Sequence, residues 1–126
     1  MRLRHLLTTT SVLIMTGVVS LSLHGGEADA VMGKNVFARR CSGCHSPDIN
    51  KGGPRLRGIL KRKAASVDGF PYSEALKKSG IVWDEKQLDR WIEKPEAVVK
   101  DNDMEFGLAN AEERAAIIAY LKTLSQ

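Results

Sequence analysis

The chain has 126 residues, 27% of them charged and 6% aromatic, with 19 Lys and Arg against 15 Asp and Glu and a formal net charge of +4. Behind an N-terminal leader that length leaves one small domain, which buries only a modest core of its own. The bases carry no recognised binding motif and no interleaved aromatics, which sets nucleic acid aside as a partner.

Residues 1–30 read as an export signal: Arg2, Arg4 and His5 lead into an apolar stretch from Val12 to Leu23, and the segment closes with Ala28-Asp29-Ala30. Cleavage after Ala30 is expected, with residues 31–126 as the mature periplasmic domain. The alternative is a retained membrane anchor, because Leu6 to Leu23 is nearly long enough to span, although Thr8 to Ser11 dilute it. His5 and His24 leave with the leader.

The mature part opens on a helix whose Met32, Val36 and Phe37 share a face and which runs straight into Cys41. Gly33 on the same side either lets another helix approach closely or marks a weak helix start. Next stands Cys41-Ser42-Gly43-Cys44-His45. C-x-x-C-H is the attachment signature of a c-type haem: one helical turn separates the sulfurs, so both can form thioethers with the vinyl groups, and His45 sets its imidazole beneath the iron. A structural zinc site needs about four ligands, and outside the leader only these three Cys and His residues exist. A redox dithiol belongs beside a βαβ pattern that this chain lacks, and a disulfide across so short a loop constrains little.

Pro47, Gly52, Gly53, Pro54 and Gly58 punctuate an irregular segment after His45, as if wrapped over something. Ser73 opens a short helix through Lys78 that Gly80 closes. Asp84 with Gln87 reads as a capping box ahead of Leu88, Trp91 and Ile92, and Pro95 stops that helix. Asn110 with Glu113 repeats the device before Ile117, Tyr120, Leu121 and Leu124, which follow an i, i+3, i+4, i+7 pattern. The fold class is all-α.

Candidates for the second axial position are Met32, Met104, a lysine, or nothing. Met32 lies on the helix that delivers the cysteines. Met104 sits in the polar run Lys100 to Gly107 between two helices, where it is either the iron's thioether ligand or a filler packing its loop onto the core. His/Met ligation favours ferrous iron and leaves no vacancy for oxygen or peroxide, so outer-sphere electron transfer is the chemistry that survives.

These pieces together resemble the class I cytochromes c, the mitochondrial type and its bacterial relatives, over Gly33 to Leu124. The likeness rests on Gly33 and Phe37, the C-x-x-C-H, Gly53-Pro54-Arg55-Leu56, Gly69-Phe70-Pro71-Tyr72-Ser73, Gly80-Ile81-Val82-Trp83, Trp91-Ile92, Met104-Glu105-Phe106-Gly107 and Ile118-Ala119-Tyr120-Leu121. The resemblance implies one covalent haem c with His45 and Met104 as axial ligands, in a small helical domain whose first and last helices cross near Gly33, Ile117 and Tyr120. It implies that Pro54 offers its carbonyl to His45, that Tyr72 and Trp83 hydrogen-bond a propionate, and that Arg62 offsets its charge. Three departures stand out. The family commonly has a proline a few residues before the Met ligand, and Val98 to Asp103 hold none, which suggests a more flexible ligand loop. Trp91 stands where relatives place a tyrosine near the sulfur, and Leu76 where a polar asparagine is common.

The implied function is a soluble, monomeric periplasmic carrier of single electrons, not an enzyme. Its partners would be redox proteins such as a quinol–cytochrome c reductase, a terminal oxidase or a periplasmic dehydrogenase, which would supply its only contact with a membrane surface. Alternatives are a peroxidase or gas-binding sensor with a labile Met104, or a dedicated subunit of a dehydrogenase. Nine bases between Val31 and Lys63 face one acid, Asp48. They form either a steering patch for an acidic partner, with Arg39, Arg57 and Lys61 expected to act in docking, or an ordinary solvated surface paired to propionates.

Overall fold

The computed structural model describes residues 25–125, so the apolar stretch of the leader lies outside them. Five helices follow one another in the described part, with no strand beyond a single antiparallel bridge between Lys63 and Val82. No helix among the described residues is long and apolar enough to cross a membrane.

Helix α1 (Gly25–Arg40) carries Glu27 in its first turn and Arg39 and Arg40 in its last, each sign matching the helix dipole. It packs chiefly against α5 (Ala111–Thr123), and the crossing is set by Gly33. A Cβ added there would overlap the Ala116 carbonyl and lie 2.9 Å from Tyr120 Cβ, so only a residue without a side chain permits this approach. Gly33, Val36 and Phe37 form the i, i+3, i+4 line toward α5, where the Phe37 and Tyr120 rings meet at 5.4 Å and 58°. Met32 is rotated off that line and stays 44% exposed, unlike the shared face expected for it. The sequence pattern misassigns it because α5 crosses at Gly33, one residue further on.

The short helices obey their caps. Ser73 Oγ accepts the Leu76 N–H at 3.2 Å to open α2 (Glu74–Lys78), and Gly80 follows its C-terminus in the left-handed region at φ +68°. Asp84 Oδ1 accepts the Gln87 N–H at 2.7 Å at the start of α3 (Glu85–Glu93), which buries Leu88, Trp91 and Ile92. Asn110 Oδ1 accepts the Glu113 N–H at 3.0 Å at the start of α5. The Glu113 carboxylate does not complete a capping box; it lies 3.9 Å from both Arg39 and Arg40 and faces the end of α1. Pro95 ends α3 as expected, yet it also begins one more helical turn, α4 (Pro95–Val98). Its fixed φ and missing N–H suit the first helical position.

Arg114 is the one buried charge of the described residues, at 6% exposure. Its guanidinium donates to Asp89 Oδ1 at 2.8 Å and to the carbonyls of Leu108 and Ala109 at 2.9 and 2.8 Å, with Glu93 3.7 Å away. Asp89 holds its pKa above the ordinary arginine value. Arg114 falls on the Ile117–Ile118–Leu121 stripe, three residues before its first member, so the period alone would have placed it inside.

Gly33→Ala is expected to destabilise the purified protein by about 3 kcal/mol, the upper end for overpacking, because the obstacle is a helix backbone that cannot rotate away. Gly43→Ala, whose Cβ meets no described atom within 4 Å, should stay within about 0.5 kcal/mol. Urea midpoints of the two variants read the contrast.

Candidate functional site

Where α1 ends, its last turn tightens: Cys41 and Ser42 both donate to the Phe37 carbonyl, and the N–H groups of Cys44 and His45 return to Cys41 O at 3.1 and 2.8 Å. This turn carries both sulfurs and the imidazole within five residues. His45 Nδ1 lies 2.9 Å from the Pro54 carbonyl, which can only accept, so Nδ1 bears the proton and Nε2 keeps its lone pair. Burial holds the His45 pKa below its ordinary value, the Pro54 bond opposes this, and nearby Lys51 adds to the lowering. The ring is therefore neutral at pH 7.

Gly53 explains the glycine pair that precedes Pro54. A Cβ there would overlap His45 Cε1 and lie 2.7 and 2.8 Å from Nδ1 and Nε2, so the backbone is pressed flat against the imidazole. The Gly53 N–H returns to Cys44 O at 2.7 Å, Leu56 N–H to Ser46 O at 3.1 Å and Arg57 N–H to Pro47 O at 2.8 Å. The irregular segment is thus laced back onto the motif and carries its own hydrogen bonds.

Both cysteines are free thiols, Cys41 half-buried and Cys44 exposed. Burial, reinforced by the neighbouring Cys44, pushes the Cys41 pKa up to about 11. A redox dithiol or a zinc thiolate needs the opposite shift. Among the described residues, moreover, no three His, Cys, Asp or Glu side chains gather as a metal cluster.

A cavity of about 370 Å³ lies against this turn, within the range of about 300–1,000 Å³ usual for cofactor clefts. All nine residues singled out from the sequence line it: Cys41, Cys44, His45, Pro54, Arg62, Tyr72, Trp83, Trp91 and Met104. The Trp91 indole N–H donates to Met104 Sδ at 3.0 Å, and the Trp83 and Trp91 rings lie 5.3 Å apart at 60°. Arg62 spends two N–H groups on the carbonyls of Arg57 and Arg55 at 2.9 and 3.0 Å, which steadies its guanidinium at the cavity wall. Tyr72 stacks edge-on against Phe70, and burial raises its pKa so that the phenol stays a donor. Leu76 also lines the cavity and adds to its apolar wall.

These features fit a porphyrin. Sulfurs and a neutral imidazole stand together on one turn, the walls are mostly apolar and aromatic, and Arg62, Tyr72 and Trp83 supply a cation and donors suited to carboxylates. Two expectations change. The segment before Met104, proline-free and expected to be flexible, is braced instead by Asn102, whose Oδ1 accepts the Met104 N–H at 2.8 Å while its Nδ2 donates to Val99 O at 2.8 Å. An Asn side chain accepting the N–H two residues on is a local turn signal that Asn102 and Met104 carry in the sequence. Arg57, counted among free docking bases, is clamped bidentately by Asp48 at 2.5 and 3.2 Å.

Known proteins with the same design are numerous. The cytochrome c family model matches residues 30–125. Cytochrome c2 of Rhodomicrobium vannielii is 44% identical over 99 residues, covering 75% of this chain and 78% of that protein, and cytochrome c of Euglena viridis is 39% identical over 99 residues, covering 76% and 97%. Among solved structures, cytochrome cH from Methylobacterium extorquens superposes with a TM-score of 0.72 at 41% identity, over 75% of this chain and 98% of that one. The chain belongs to the cytochrome c family, all-α electron-transfer proteins that each carry one covalently attached haem c.

Proposed function

We propose that this protein is a periplasmic shuttle of single electrons whose iron is held by His45 and Met104. The observation that carries this reading is the convergence of the neutral His45 imidazole and the Trp91-bonded Met104 sulfur on one cavity that also receives both C-x-x-C-H sulfurs. Bound there, the haem supplies one-electron Fe(III)/Fe(II) chemistry. Cys41 and Cys44 would hold it by thioethers. Pro54 fixes the tautomer and tilt of His45, Gly53 packs flat against that ring, and Arg62, Tyr72 and Trp83 would receive the propionates. With both axial positions filled by protein side chains there is no catalytic residue to name, and the reading is a carrier, not an enzyme.

Export follows from the leader pattern and cleavage after Ala30, which would leave Val31–Arg40 as the first helix of the mature protein. Partners in this reading are larger redox proteins, such as a quinol–cytochrome c reductase, a terminal oxidase or a periplasmic dehydrogenase. Lys61 and Lys63 carry no ion pair among the described residues and stand beside Arg62 of the cavity wall, whereas Arg57 is paired to Asp48.

An optical spectrum of protein made with its export and attachment machinery tests the proposal. Low-spin ferric bands with a far-red sulfur-to-iron charge-transfer band, a mass raised by one haem and no carbon monoxide uptake by the ferrous form are expected. Rapid uptake of carbon monoxide would instead support the sensor or peroxidase alternative. A second outcome follows from the indole donor. Trp91→Phe keeps the ring but removes the proton that draws electron density from the sulfur, and the reduction potential should fall by up to about 40 mV, the one-electron equivalent of about 1 kcal/mol. Spectroelectrochemical titration of both proteins checks the sign. Docking charge is read with hexacyanoferrate as an anionic redox probe: Lys61→Gln should lower the rate about twofold at low ionic strength and flatten its salt dependence. The paired double substitution Arg57→Gln with Asp48→Asn removes no net charge and should leave that dependence unchanged.

A further inference from the structure

Met104 enters the cavity from a segment with little regular structure, so something other than a helix must decide where its sulfur sits. The residue in position to do this is Asn102. It is half-buried, and its one side-chain amide makes three bonds: Oδ1 accepts the Met104 N–H at 2.8 Å, and Nδ2 donates to Val99 O at 2.8 Å and to Glu96 Oε2 at 3.3 Å. The other oxygen of Glu96 accepts the Asp101 N–H at 3.3 Å, and Asp101 turns the chain with φ +61°. A carboxylate on α4 and the carbonyl at its end are thereby joined, through one planar amide, to the backbone of the residue that bears the sulfur.

The far side of Met104 is tied separately. Leu108 N–H returns to Ile92 O on α3 at 3.0 Å, and Arg114 holds the Leu108 and Ala109 carbonyls. Leu108 and Ala109 lie four and five residues beyond Met104; between them the Phe106 N–H donates to Met104 O at 2.9 Å, a turn internal to the segment that ties Met104 to no helix. Asn102 acts two residues away and bonds to Met104 itself. The Trp91 donor steadies the sulfur only if the Met104 backbone already brings it within reach.

We propose that Asn102 is the positioning residue for the Met104 sulfur: its amide sets how rarely the thioether leaves the iron, and so keeps a carrier from becoming a ligand-binding haem protein. This rests on the reading of Met104 as the axial ligand. Once the Asn102 amide is lost, Asp101 to Met104 regain freedom that the flanking anchors do not restrict, and the sulfur departs more often while the helical core stays intact.

The experiment uses ferric holoprotein and imidazole as the entering ligand, at concentrations where the binding rate reaches the limit set by departure of the sulfur. Asn102→Ala is expected to raise that limiting rate at least about tenfold and to weaken the far-red charge-transfer band. Asn102→Asp, which keeps the acceptor for the Met104 N–H but loses both donors and faces Glu96 with a second carboxylate, should fall between it and the parent. Asp84→Ala removes a helix cap at a residue that does not line the cavity and controls for general destabilisation: it should lower the urea midpoint and leave the limiting rate unchanged. Equal limiting rates for Asn102→Ala and the parent, or equal acceleration by Asp84→Ala, would overturn the assignment. Met104→Ala separates the two readings. If the parent shows the charge-transfer band and Met104→Ala abolishes it, an unchanged Asn102→Ala rate sinks the positioning role alone; if the parent lacks the band and Met104→Ala binds imidazole at the parent's rate, both readings fall.

Discussion

The crossing of α1 and α5 at Gly33 governs both walls of the haem cleft, because each helix leads directly into a different part of it. From α1 the chain runs without a break into Cys41 and His45, so the tilt of that helix sets where sulfurs and imidazole stand. From α5 comes Arg114, whose guanidinium grips the carbonyls that end the Met104 segment. Backbone of α5 meets the bare Cα of Gly33 at a spacing that no side chain would allow. A wider crossing would move the motif and the anchor of the methionine segment relative to each other, and the cleft between them would lose its fit.

Irregular backbone provides most of the rest of the site, and it is ordered by hydrogen bonds in place of helical packing. The segment from Ser46 to Arg57 is tied to the motif by Gly53 and to its own start by Leu56 and Arg57, and further along the chain Lys61, Arg62 and Ala64 exchange bonds with Ile81 and Trp83. Such a design suits a carrier. In the proposed ligation by His45 and Met104 neither side chain would need to move when the metal gains or loses charge, and a wall built from many short, mutually bonded turns resists reorganisation. The three bonds of Asn102 extend the same principle to the segment that bears the sulfur.

Charge is distributed with a similar division of labour. Arg62 and Arg114 are fixed by backbone carbonyls and act inside the fold, Arg57 is neutralised by Asp48, and Lys61 and Lys63 remain at the surface beside the cleft. A formal count of nine bases in the first part of the domain therefore overstates what a partner would meet. Guanidiniums bonded to backbone carbonyls organise loops, and only the unpaired remainder is available to steer an encounter.

Chemistry that depends on neighbours in the chain is legible in the sequence itself. C-x-x-C-H, the caps at Ser73, Asp84 and Asn110, the stop at Pro95 and the periodic faces of α3 and α5 are all local patterns, and local hydrogen bonding or helical period dictates them. Residue types at Pro54, Tyr72, Trp83, Trp91 and Met104 could be matched to a family, but that they line one cavity is a matter of how distant segments meet. Tertiary structure alone decided that Met32 lies off the buried line, that Arg114 meets Asp89 of α3, that Arg57 is taken up by Asp48, and that Asn102 is joined to Glu96. Each of those outcomes turns on a partner more than one helical turn away, and side-chain periodicity carries no information about which partner the folded chain will bring.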